Sequence, residues 1–286
     1  VTRRRNPVYP ATVVGKPPQE DRYIGDAVQE MLGPLIRLLR PEVAGMWAYH
    51  EAGFHNLLVA AVRVRYRREA VKTGLALLSE SQLSLTKCVI LVDAEVNPRD
   101  FEAVLAAVRQ NFDPEHDLTI IPRAPIDTLD FSSFRMHLGS KMIVDATSPV
   151  DEDLFSQEMA AHGRRHGGLL PRLERLDARI RSWKLVGGTL LAVKVSSGGR
   201  EVCEKVARAG LPAEVKIVAA VSEDVDIHDP ASLIWGIFTR FDPALDIVFA
   251  GSEQPGAQPH NRAPMGVDST FKEGYPDPLE MPEEVK

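Results

Sequence analysis

The residues best suited to chemistry are acids that follow two short apolar runs. Asp93, Glu95 and Asp100 come after Cys88–Val92, and Glu223, Asp224, Asp226 and Asp229 come after Lys216–Val221. Ligands of open α/β sheets bind beyond the carboxyl ends of the strands, and hard cations prefer oxygen ligands, so either cluster could seat an ion. A calcium loop fails in detail, because Pro98 stands where glycine is needed and Val104 where a bidentate glutamate is needed. The plainer reading is helix capping. Asp229-Pro230 is an N-cap followed by proline at the first helical position, and Asp100 can cap the corresponding helix of the first cluster.

Other combinations are weaker. His162 and His166 stand four apart, as two metal ligands on one helix face would, but Gly163 replaces the glutamate of a zincin helix and Gly167-Gly168 interrupts it. Gly15-Lys16-Pro17 lacks the glycine spacing of a P-loop, and Gly198-Gly199 opens a helix without a dinucleotide fingerprint. No Gly-x-Ser-x-Gly elbow occurs, and Cys88 and Cys203 carry no catalytic signature. Their separation also argues against a disulfide framework, so a reducing, cytoplasmic location is expected.

The elements that must position these residues are those of a soluble α/β protein. Of 286 residues, 44 % are hydrophobic and 26 % charged, which excludes a collagenous or wholly disordered chain. No apolar run approaches the ~18 residues of a membrane span. The net charge is −6, and although Arg63, Arg65 and Arg67 alternate along an expected strand, only Tyr66 among aromatic residues interleaves them, so nucleic acid is not an expected partner. The apolar residues Ile24, Val28, Met31, Leu35 and Leu38/Leu39 fall on one stripe of a helix that Pro34 should kink or split. Short strands then alternate with helices.

The pattern repeats. Cys88–Asp117 aligns without a gap to Ile217–Asp246, an offset of 129 residues, and Phe112-Asp113-Pro114 matches Phe241-Asp242-Pro243. After a shorter loop Met142–Thr147 meets Met265–Thr270. The expected fold is therefore α/β, with duplicated strand–helix–strand units forming helix-flanked sheets and one orphan N-terminal strand at 8–14. The expected division is a barrel end and linker at 1–22, a first α/β copy at 23–150, a helical connector at 151–189, a second copy at 190–270 and an acidic tail at 271–286.

Four ordered blocks carry a family resemblance. Asn6–Asp21 resembles the segment leaving the central barrel of UbiD-type decarboxylases, which remove carboxylate from aromatic and α,β-unsaturated acids with prenylated FMN. Ile90–Asp100, Pro125–Asp130 and Gly139–Thr147 are similar to successive blocks of that family's C-terminal domain. Gly53–Leu57 and the second copy resemble the long members of the futalosine route to menaquinone, which act on a dihydroxynaphthoate.

The resemblance implies a C-terminal, oligomerising and site-closing part of such an enzyme. The family's flavin- and metal-binding lobe, its catalytic arginine and its acidic pair have no counterpart here, so no catalytic or metal-binding residue is expected in 1–286. Prenylated FMN and a divalent metal belong to the complete enzyme, and the chain alone is expected to be inactive. Its expected partners are itself and a polypeptide carrying the N-terminal UbiD lobe. Lys87, just before a buried strand, is the candidate for reaching the flavin phosphate, with Lys141 as rival. A non-catalytic scaffold that kept the oligomerisation surface is the alternative.

Overall fold

The computed structural model describes residues 19–150, 170, 172–254, 256–257 and 259–275. The segment 8–14, His162 and His166 lie outside them. Helix α1 (Gln19–Leu39) leads into a first sheet of β1 (Val43–Ala48), β2 (Leu57–Val62), β3 (Cys88–Asp93), β4 (Leu118–Pro125) and β5 (Leu138–Ala146). Helices α2 (Glu69–Leu77) and α3 (Phe101–Asn111) connect its strands. After the short α4 (Leu173–Leu176), a second sheet holds β6 (Ile180–Val186), β7 (Leu190–Val195), β8 (Ile217–Val221), β9 (Ile247–Glu253) and β10 (His260–Ser269). Helices α5 (Gly199–Ala207), α6 (Pro230–Phe238) and α7 (Pro243–Asp246) belong to it.

Both sheets follow one plan. Their orders are β1-β2-β3-β5-β4 and β6-β7-β8-β10-β9. The three central strands of each are parallel and the two edges antiparallel. Equivalent residues pair, as Cys88 with Met142 in the first sheet and Ile217 with Met265 in the second. Central strands read as unbroken apolar runs because both faces are covered. Cys88, Ile90 and Val92 face α3, while Val89 and Leu91 face the α2 side.

Caps set the helix starts as the acids suggested. The Asp100 carboxylate accepts from the N–H groups of Glu102 and Ala103 at 3.1 and 3.2 Å, and that of Asp229 from Ser232 at 3.0 Å. Each satisfies donors that a helix start otherwise leaves unpaired.

Several expectations are corrected. The stripe of α1 expected to be its core face points outward: Met31, Leu35 and Leu38 are 74 %, 55 % and 79 % exposed. The helix rests on the first sheet through Gln29 and Ile36 instead, with Gly25 against the Phe54 ring. Gln29 fixes it by accepting from the Ala48 N–H at 2.8 Å. Pro34 does not split it. Arg63, Arg65 and Arg67 lie past the end of β2, so they do not alternate on a strand. Arg65 reaches back to Glu69, its partner four residues on. Ile180, expected on a connector helix, opens β6, so the second sheet begins ten residues earlier than the repeat suggested.

Candidate functional site

The densest buried polar chemistry lies at the amino ends of β3 and β5, where the two lobes meet. The Lys87 N–H donates to the His55 carbonyl and its own carbonyl accepts from Met142, both at 2.8 Å, so the ladder continues through it. Its side chain runs inward. Lys87 Nζ lies 2.7 Å from Asp130 Oδ2, with each side chain 1 % exposed, and 5.2 Å from the centre of the Phe241 ring of the second lobe. The other Asp130 oxygen accepts from Ser132 N–H at 2.8 Å and from its hydroxyl at 2.5 Å.

A second bridge lies beside it. The Ser140 hydroxyl donates to the Asp242 carboxylate across the lobe boundary. The Ala244 N–H is shared between Ser140 Oγ at 2.8 Å and Asp242 Oδ1 at 3.0 Å. Gly139 permits this approach, since a Cβ there would come within 3.1 Å of the Asp242 carboxylate. Tyr275, after β10, completes the seam by donating to the Arg240 carbonyl at 3.2 Å, and burial pushes its phenol up.

Lys141 donates to the carbonyls of Ser84 and Thr86 at 2.6 and 2.7 Å, and burial lowers its pKa to about 8. His55 stands 3.8 Å from Asp127. Burial lowers the pKa of this imidazole, while the Asp127 carboxylate pulls it up. Such a concentration of perturbed groups is a signature of functional sites, and structural ion-pair networks share it. Here the groups answer one another.

Lys87, expected to reach the flavin phosphate, is turned inward here, with its ammonium held by Asp130. A phosphate would have to displace Asp130 from the interior to reach its ammonium, and Lys141 is spent on carbonyls. These residues do not fit a flavin-phosphate seat in this arrangement, and no step through the cofactor is derived from them.

Most of the acids at the strand ends are engaged as well. Asp93 accepts from Ser148 N–H at 3.0 Å and from its hydroxyl at 2.6 Å. Asp224 takes a bidentate bond from Arg240 at 2.8 and 2.6 Å, and Glu223 pairs with Arg181 at 3.0 Å. Asp226 closes a turn on the His228 N–H at 2.8 Å. Among the described residues no three His, Cys, Asp or Glu side chains form a metal-holding group, and no helix is long and apolar enough to cross a membrane.

Sequence reasoning missed Ser140, Arg240, Asp242 and Tyr275 as partners of Lys87 and its neighbours. Phe241-Asp242-Pro243 is visible as one copy of a repeated tripeptide, but its contact with the other lobe has no local signature.

Comparison with known proteins places the chain. Residues 22–146 and 184–261 match the model of the 3-octaprenyl-4-hydroxybenzoate carboxy-lyase C-terminal domain. A Chlamydia pneumoniae protein described as a subunit of 4-hydroxybenzoate decarboxylase is 33 % identical over 286 residues, 100 % of this chain and 47 % of that protein. A protein of Archaeoglobus fulgidus is 39 % identical over 158 residues, 55 % of this chain and 33 % of its own length. Among solved structures, the vanillic acid decarboxylase of Sedimentibacter hydroxybenzoicus is similar at 29 % identity and a TM-score of 0.39, over 47 % of this chain and 27 % of that one. The UbiD-class enzyme HmfF of Pelotomaculum thermopropionicum, in complex with FMN, is similar at 26 % identity and a TM-score of 0.39, over 51 % and 31 %.

A mixed α/β fold of two five-stranded sheets, matched across most of its length by one carboxy-lyase domain, defines the class: a C-terminal domain of a decarboxylase family. The chain belongs to the UbiD carboxy-lyase family. It spans about half the length of the chlamydial relatives it matches end to end.

Proposed function

We propose that this chain is the C-terminal, oligomerising and site-closing part of a UbiD-type carboxy-lyase acting on an aromatic acid, with a dihydroxynaphthoate of menaquinone biosynthesis as the candidate substrate. The observation that carries the reading is the alignment of all 286 residues with the chlamydial protein described as part of a 4-hydroxybenzoate decarboxylase. Prenylated FMN and a divalent metal are assigned to the flavin-carrying lobe of the family, on this polypeptide or another. Residues 1–286 are proposed to hold no flavin and to decarboxylate nothing by themselves, and to work in the cytoplasm, where two unpaired buried cysteines are at home.

The outward stripe of α1 supports the docking half of this proposal. Val28, Met31, Leu32, Leu35, Leu38 and Leu39 are all exposed along one helix, and contiguous apolar surface of this kind marks an interaction site. Either partner, the flavin-carrying lobe or a second copy, would remove it from water.

Co-expression with a polypeptide carrying the N-terminal UbiD lobe tests the reading. The purified 286-residue chain is expected to be colourless, and to gain flavin absorbance and carbon dioxide release from an aromatic acid in the complex. A yellow preparation of the chain alone that releases carbon dioxide refutes it.

A further inference from the structure

The two lobes meet reciprocally. The β1–β2 connection of the first lobe, Tyr49–Asn56, rests on α6 of the second, where a Cβ at Gly53 would lie 3.5 Å from the Trp235 ring. The β6–β7 connection of the second lobe rests on α3 of the first, where a Cβ at Gly187 would come 2.7 Å from Leu105 Cβ. Gly53 and Gly187 hold equivalent places between an edge strand and its antiparallel neighbour, both with left-handed backbone at φ 72° and 56°. Helices α3 and α6 are equivalent too, each following the central strand of its own sheet. Their inner faces, with Leu105 and Val108 from one and Ile234 and Ile237 from the other, belong to one continuous apolar core.

Each lobe thus offers the connection between its edge strand and that strand's antiparallel neighbour, eight residues in one lobe and three in the other, and receives the other's connection on the equivalent helix. Contact of patch i with j and of j with i is the mark of an isologous, twofold interface. We propose that the chain is a dimer fused into one polypeptide, in which the second lobe fills in cis the seat that a second copy of the first lobe would fill in trans. The inference stands apart from the decarboxylase reading and does not need it.

One bond breaks the symmetry. Ser140 to Asp242 runs one way across the boundary, because the residues aligned with Asp242 and Ser140 are Asp113 and Ala263, which has no hydroxyl to donate. Such a one-way bond selects the unlike pairing over two like lobes, since specificity is a difference between competing affinities.

The test uses the full chain carrying Leu35→Glu, which silences the α1 face, and a protease site inserted between residues 160 and 161. After cleavage the two halves are expected to co-elute at micromolar concentration. Following exchange in moderate urea and its removal, native mass spectrometry is expected to show like-with-like pairs beside the original pair. Ser140→Ala with Asp242→Ala is expected to raise the share of like pairs several-fold. Halves that separate on cleavage overturn the proposal, and so do halves that re-pair only as unlike partners in both backgrounds. The uncut double variant supplies a second measurement, because opened chains should exchange lobes and light scattering should show dimers growing with concentration. Scattering and calorimetric profiles identical to those of the Leu35→Glu parent count against it. None of these readouts depends on flavin or activity, so failure here leaves the proposed function standing, and the reverse.

Discussion

Asp117 should make the protein more stable as the solution is acidified towards pH 5. Its carboxylate accepts from Arg68 at 2.9 Å and from the Asp113 N–H at 3.0 Å. Burial nevertheless outweighs both and, with the nearby Asp145, raises its pKa from 3.8 to about 6. A carboxyl whose folded pKa lies above its unfolded value binds its proton more tightly when folded. Its contribution to stability is therefore greatest below the unfolded value and is lost as pH rises through the folded one. A shift of about two units corresponds to roughly 3 kcal/mol between about pH 4 and pH 7, or on the order of 5 °C in Tm for a domain of this size.

The perturbation is Asp117→Asn, which keeps an oxygen to accept from Asp113 and removes the titration. Urea unfolding followed by far-ultraviolet circular dichroism, every half unit from pH 4.5 to 8, gives the difference between the two proteins. Asp246 is raised in the same direction by burial, and His55 opposes both because its imidazole is held neutral, so that difference isolates Asp117. The variant should lose ground to the parent as pH falls and equal or exceed it above pH 7. Parallel stability curves across the range would falsify the argument.

Three further outcomes are expected. Lys87→Met should cost about 3–5 kcal/mol, because it strands Asp130 in the interior, and Asp130→Leu in the same chain should recover much of the loss in urea unfolding; a single variant as stable as the parent contradicts the ion pair. Burial raises the pKa of both Cys88 and Cys203 to about 12, so Ellman's reagent at pH 8 should find no thiol until the protein is unfolded, and fast native labelling would show the sites open. Met31→Glu with Leu35→Glu should weaken association through α1 with less than about 0.5 kcal/mol of stability lost, as surface substitutions do; unchanged light scattering and unchanged capture of the flavin-carrying lobe would remove that face from the interaction.

What could be read without coordinates was whatever local spacing dictates. The apolar run Cys88–Val92 announces a strand covered on both faces, and Asp100 and Asp229 announce helix starts, because both signals are contained within one turn or one strand. The inward direction of Lys87 was not legible. A lysine before a strand is solvated far more often than it is buried, and its carboxylate lies 43 positions further on. The face of α1 was misread for a related reason. Periodicity shows that a helix has an apolar stripe, but not whether the surface meeting it lies in the same lobe. Gly25, where a Cβ would come 2.8 Å from the Phe54 ring, marks the true inner face and carries no apolar signal at all. The start of β6 was hidden because its burial is incomplete at Ser182, Trp183 and Lys184, and a half-buried edge strand reads much like an amphipathic helix.

The two lobes show which part of the local chemistry the fold requires. In the first, Asp145 Oδ1 accepts from the Thr147 N–H at 3.1 Å and its hydroxyl at 2.6 Å, and in the second Asp268 Oδ1 does the same with Thr270 at 3.0 and 2.6 Å. Asp117 and Asp246 cap equivalent turns by accepting from Asp113 and Asp242. Each lobe thus brings two carboxylates together at one end of its sheet, and the neighbouring acid adds to the burial that raises Asp117 and Asp246. The cation that compensates comes from different places. Arg68, at the start of α2 in a left-handed conformation of φ 63°, reaches Asp117 at 2.9 Å. In the second lobe the aligned region has Gly198, and Lys272 beyond β10 reaches Asp246 at 3.4 Å instead. The backbone-bonding carboxylates are the same and the cations are not. The turn geometry therefore depends on the position of the acids, and the charge that answers them needs to be near but can arrive from any element that passes.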